Sequence, residues 1–170
     1  SLGIDLTRYT EKTIRLGGAR PPSEAIAAEQ RKHRVRTVTV IKDPMAVGDY
    51  VASGFAVAFC SGTLKWSNAR NEDGFSERVA GSWAHSQGIY GWDSRPVAVK
   101  KYGEPLVLIG NQWAIWNRGP RRILDTDIDI PEGFYWARST LLRQCKLIAY
   151  SSILGWERKK LPDFGATGHI

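Results

Sequence analysis

The chain has 170 residues, 42% of them hydrophobic and 24% charged, with a formal charge of +7 and a pI near 9.6. That length and composition suit a single domain over 1–170 that buries one core, not a disordered chain. Two cysteines exclude a disulfide framework; three scattered histidines give no zinc-ligand spacing; no apolar run approaches the ~18 residues of a membrane helix; so neither cofactor nor membrane is expected.

The first residues, "SLGIDLTRYTEK", contain no apolar segment of signal-peptide type, and they open without an initiator Met, as a chain starting at a cleavage boundary would. Residues 1–20 are turn-rich and are expected to lie extended across the surface. Ser23 can cap a helix over "EAIAAEQRKH", near 23–33. "RVRTVTVI" (34–41) alternates and is β-branched, which predicts a strand.

A second helix is predicted near 44–53. Asp43 suits its N-cap, Pro44 its first position and Gly54 its end, with Val47, Tyr50 and Val51 on one face. "FAVAFC" (55–60) reads as a buried strand, and 61–81 has loop composition. In "GSWAHSQGIYGW" (81–92), Trp83, His85, Gln87 and Ile89 alternate with Ala84, Ser86, Gly88 and Tyr90, a strand pattern. "EPLVLIG" (104–110) is another buried strand, and 111–133 is an aromatic, Pro/Gly-rich excursion. "FYWA" is a short strand, "RSTLLRQC" a short helix near 138–145, and "KLIAYSSI" a last strand. The sum is an α+β domain dominated by β structure, a small barrel or curled sheet.

The basic residues are dispersed, the densest clusters being "RKHRVR" (31–36), "RGPRR" (118–122) and "ERKK" (157–160). No zinc knuckle and no aromatic–basic signature of an RNA-binding sheet accompanies them. Nucleic acid is therefore not the partner expected, and the surplus charge reads as a solvated surface. The two cysteines, Cys60 and Cys145, read as buried thiols rather than a disulfide.

His85 is open to three readings: base, metal ligand or satisfied core residue. It stands near the start of one strand, and Asn111 near the end of the next. Antiparallel pairing can bring the two together, and an amide oxygen beside an imidazole fixes its tautomer and ring orientation.

The order of segments adds a family. "GSWAHSQGIYGW" followed by "EPLVLIGNQWAIWNRGP" resembles the second half of papain-like cysteine peptidases, where a histidine strand leads into one ending Asn-Ser-Trp-Gly. The pattern is most similar to a divergent bacterial and bacteriophage branch. It runs through "DLTRY", "HRVRTVTVI", "ASGFAVAFCS", "EDGF", "IPEGFYWA" and "LLRQCKLIAYSSILGW". The resemblance implies the β-barrel half of that fold, with His85 as general base, Asn111 as its orienting partner and Trp113 shielding the pair. Trp83 and Trp116 would shape the cleft or core, and Asn117 in "WNRGP" reads as a turn residue.

This sequence departs from the family in two places. Asn-Ser-Trp-Gly is replaced by Asn-Gln-Trp-Ala at 111–114, and Ala114 lacks the conformational freedom of glycine. The nucleophile of such enzymes stands roughly a hundred residues or more before the histidine and opens a helix. Here only Cys60 lies upstream, at the end of an apolar strand, and the oxyanion-hole glutamine has no matching segment. Cys60 is the one upstream candidate nucleophile, and a buried strand thiol is the reading preferred for it.

Two functions follow as expectations. One is a peptidase fragment carrying the His/Asn half of a Cys-His-Asn site, inactive alone, whose partner chain holds the Cys-bearing helical half. The other is a noncatalytic structural component of a phage virion or other large assembly, with neighbouring subunits as partners. Either places the chain in a soluble setting, cytoplasmic or virion-associated.

Overall fold

The structure, a computed structural model, describes residues 38–111 and 116–150 together with Glu24 and Ala28. Glu24 and Ala28 are helical; the rest of the helix expected near 23–33, and the extended segment expected at 1–20, lie outside the described residues.

Six strands form one antiparallel sheet. They are β1 (Val38–Ile41), β2 (Ala56–Ser61), β3 (His85–Asp93), β4 (Leu106–Gly110), β5 (Phe134–Arg138) and β6 (Lys146–Tyr150). Their order is β1-β6-β2-β3-β4-β5, so the last strand in sequence lies between the first two.

The sheet is open and does not close into a barrel. β1 and β5 are its edges. Closure would need the outer side of β5, and the loop at 74–76 takes it: Trp136 N–H donates to Gly74 O at 2.9 Å and Ser76 N–H to Trp136 O at 2.9 Å.

One face carries the main core. Val57, Phe59, Ile89, Val107, Ile109, Tyr135, Ala137, Leu147 and Ala149 point inward there, against Val47 and Tyr50 of α1 (Val47–Ala52). Asp43 caps a 3-10 turn at Pro44–Ala46, its carboxylate accepting from Met45 N–H at 3.0 Å, and the turn runs directly into α1. Gly54, at φ 79°, releases the chain after the helix.

Among the described residues, the other face is covered at its β4–β5 end. There Phe75, Ala98, Tyr102, Leu106, Leu124, Ile130 and Trp136 form a second cluster beneath α2 (Pro96–Tyr102). Hence β4 is buried on both faces, which is why "LVLI" carries no alternation.

Helix α2 is absent from the sequence reading. The Arg95 guanidinium clamps the buried Asp93 carboxylate through two hydrogen bonds, at 2.9 and 2.8 Å, and turns the chain from β3 into the helix. Pro96 then suits the first turn. The helix expected near 138–145 is a 3-10 helix over Ser139–Gln144.

Candidate active site

Strand pairing decides which side chains can meet. Ser61 pairs with His85, Phe59 with Gln87 and Val57 with Ile89, so these six share the core face. Cys60 pairs with Ser86 on the opposite face. The structure therefore sets Cys60 and His85 on opposite sides of the sheet, although both border the cleft at the strand ends. The Cys60 thiol donates to Ser86 Oγ at 3.3 Å and is exposed rather than buried, because β2 alternates its burial despite its all-apolar letters.

Asn111 follows Gly110, which pairs with Gly88, so it leaves β4 alongside the His85 end of β3. The expected meeting occurs: the Asn111 side chain hydrogen-bonds the imidazole of His85. Burial is the larger influence and pulls the imidazole below its ordinary value of 6.5, and the Asn111 bond pulls it partly back. At neutral pH the ring is therefore neutral and able to accept a proton.

Asn111 is itself held. It is 7% exposed, its N–H donates to Gly133 O at 3.0 Å, and its Nδ2 donates to Asn117 Oδ1, also at 3.0 Å. With Nδ2 committed to Asn117, Oδ1 is the carboxamide atom left for the imidazole.

Asn117 was read from sequence as a turn residue, yet it is 2% exposed and completes this buried chain of side chains. "WNRGP" has turn composition, and no sequence signal marks its Asn as inward.

The Asn117 loop is pinned from below. Arg118 N–H donates to Asn68 O at 2.6 Å, and Arg70 N–H donates to Arg118 O at 2.8 Å. The Arg70 guanidinium, itself buried, donates to Gly119 O at 2.8 Å and to Phe134 O at 2.7 Å. Gly119 adopts φ 96°, and a Cβ there would stand 2.7 Å from Arg70 O.

Trp83 stands edge-on to His85, ring centroids 6.0 Å apart, and touches Trp116 at 6.1 Å. Trp83 thus packs against the histidine, with Trp116 behind it. Trp113, the expected shield, and the altered positions 112–114 lie outside the described residues. Beside this group, the Tyr135 hydroxyl donates to Gln87 Oε1 at 3.1 Å, so the next residue inward along β3 is also fixed.

The sheet end opens into a cleft of about 690 Å³, whose lining includes Cys60, Ser61, His85, Arg143, Cys145 and Lys146. Cys145 is half-buried against the core, and its thiol donates to Leu141 O at 3.7 Å. Burial pushes that thiol up to about 11, against a lowering bond from Ser61, so it carries little thiolate at neutral pH. Ser61 Oγ accepts from Thr63 and Leu64 N–H, both at 3.1 Å, and shapes the turn after β2.

The arrangement thus holds a neutral imidazole oriented by an asparagine. Among the described residues no three His, Cys, Asp or Glu side chains gather as a metal site requires. No family model matches the chain, and no curated protein or solved structure is significantly similar to it.

Proposed function

We propose that the chain carries the histidine and asparagine of a Cys-His-Asn site of the papain type, its open sheet standing in the place of the barrel half of that fold. The thiol would come from a separate Cys-bearing helical half, and the substrate would be a peptide bond of protein or peptidoglycan. The observation that carries this reading is the side-chain sequence from half-buried His85, which borders the cleft, to buried Asn111 and Asn117 behind it. A histidine that serves only to fill the core needs no such double orientation.

In the complete site the thiol proton passes to His85 as the thiolate attacks the amide carbon. The resulting imidazolium is stabilised by Asn111 and returns the proton to the departing amine. His85 then takes a proton from water, which attacks the thioester and frees the enzyme thiol.

Neither thiol of this chain suits the role: Cys60 is on the far face and Cys145 is strongly desolvated. A peptidyl electrophile selective for activated thiols is accordingly expected to label neither cysteine of the isolated chain in a His85-dependent way. With a Cys-bearing half supplied as a second chain, labelling of that chain's cysteine is expected and is lost in His85→Ala. His85-dependent labelling of Cys60, or labelling of the partner indifferent to His85, would falsify the half-site.

One observation favours a second reading, a noncatalytic component of a virion or similar assembly. The outer face of the β1 end exposes Val38 and Val40, at 61% and 65%, and Tyr90 at 56% projects from the same face of β3. Apolar side chains of this kind belong at subunit contacts. Sedimentation velocity at rising concentration distinguishes the two: association abolished by Val40→Lys supports the assembly component, and a persistent monomer counts against it.

A further inference from the structure

The cleft that His85 borders also carries two cations. Arg143 leaves the 3-10 helix that precedes β6, and Lys146 opens β6 itself, paired with Cys60. Both are exposed, and neither takes part in any of the ion pairs among the described residues, where Arg95, Lys101, Arg121, Arg122 and Arg138 all have carboxylate partners. Among the described residues lining the cleft there is no carboxylate; beside the two cations stand polar groups of Ser61, Ser86 and Gln144. Arg95, Arg121, Arg122 and Arg138 are paired with carboxylates, whereas Arg143 and Lys146, like several other cations among the described residues, are not; these two border an opening.

We propose that this cleft is a binding subsite for a carboxylate-bearing peptide segment, so that the site selects acidic substrates; the inference rests on the half-site reading for its catalytic meaning. Arg143 supplies a planar fork that matches a carboxylate, and Lys146 supplies a mobile point charge beside it.

The volume suits a short peptide segment, since ligand pockets commonly run from ~300 to ~1,000 Å³. β6, β2 and β3 are consecutive neighbours, so Lys146 and His85 belong to strands about 10 Å apart. An extended peptide rises roughly 3.3 Å per residue. A segment of a few residues therefore spans the strands, with Lys146, paired with Cys60, on the opposite face of the sheet from His85 and both bordering the cleft at the sheet end.

The test uses the chain alone and two fluorescent, end-capped hexapeptides that differ only in a central Glu or Gln, read by anisotropy and by ¹⁵N shifts. The Glu peptide is expected to bind about tenfold tighter, to weaken with added salt, and to shift the Ala84, His85 and Ser86 amides. The preference is expected to vanish in Arg143→Gln/Lys146→Gln, a pair of exposed substitutions that leaves the core intact. Equal binding of both peptides, no binding of either, or a Glu preference that survives the double substitution overturns the subsite. Binding needs no nucleophile. A chain that selects the Glu peptide yet never supports labelling of a Cys-bearing half keeps the subsite and loses the peptidase reading, and the converse result separates them the other way.

Discussion

His85 stands between two opposed influences, and their balance can be measured. Burial disfavours the imidazolium and the Asn111 oxygen favours it. Removing the favourable partner should therefore lower the imidazole pKa further. Asn111→Ala is expected to do so fully, and Asn117→Ala partly, by freeing the Asn111 amide to rotate; ¹H–¹⁵N titration of the ring nitrogens reads both. A fall in Asn111→Ala without any change in Asn117→Ala would show that the second asparagine does not orient the first.

The same shift has a sign for stability. The unfolded ring, at its ordinary value of 6.5, binds its proton more readily than the folded one, so the unfolded state gains protons first as pH falls. The His85 contribution is then whole above about pH 6.5 and is lost as pH drops through the depressed folded value. Thermal melts from pH 7.5 to 5 should show a loss that His85→Gln flattens.

At this scale the sequence was informative where order mattered and silent where burial mattered. His85 and Asn111 could be paired because two strands in succession place the start of one beside the end of the next. Cys60 was read as buried because "FAVAFC" is apolar at every letter, which conceals which alternate positions face out. Asn117 carried a turn signature because the chain does turn there, and composition does not report that the turn is packed inward.

Among the elements, β3 has a phase change that no periodicity reveals. The register shifts between Ile89 and Gly91, so Ile89 points to the core and Trp92, paired with Val107, also does. The alternation read from Trp83 to Ile89 holds to the bulge and fails beyond it. Helix α2 escaped notice because only Ala98 and Tyr102, one turn apart, are buried in the second cluster, with Val97 packed partly against it; so short a segment is too little to establish a period. What makes the segment helical is tertiary: the Asp93–Arg95 clamp before it and Leu106 and Trp136 beneath it.

The loop carrying Asn117 is the element whose failure should reach the site. Gly119→Ala combines a left-handed backbone with a collision against Arg70 O, a backbone atom that cannot swing aside. We expect a cost of about 2 kcal/mol in urea denaturation and a displaced His85 ring resonance in the folded protein. A Gly119→Ala protein of wild-type stability with an unmoved ring would mean that the pinning by Arg70 is slack.

For the whole molecule, strand order is what the sequence concealed most completely. The six strands were all expected, and their alternation identified most inward residues. No local signal, however, says that β6 slots between β1 and β2, or that the 74–76 loop occupies the side of β5 that barrel closure would need. That placement makes β6 a central strand bonded on both sides. Leu147, 2% exposed on its core face, should be far more costly to truncate than Val38 on the edge. Leu147→Ala is expected to lose about 3 kcal/mol and Val38→Ala less than about 0.5 kcal/mol, both from urea midpoints. Similar costs for the two would contradict a central β6.

The insertion of β6 also sets an order of assembly along the chain. His85, its asparagines and the β2–β3–β4 pairs precede in the chain the wall bearing Arg143, Cys145 and Lys146. Until β6 enters, β1 has no neighbour and the cleft has only one side. Without β6, the imidazole strand keeps its β2 and β4 partners, but the cleft lacks the wall that Arg143, Cys145 and Lys146 supply.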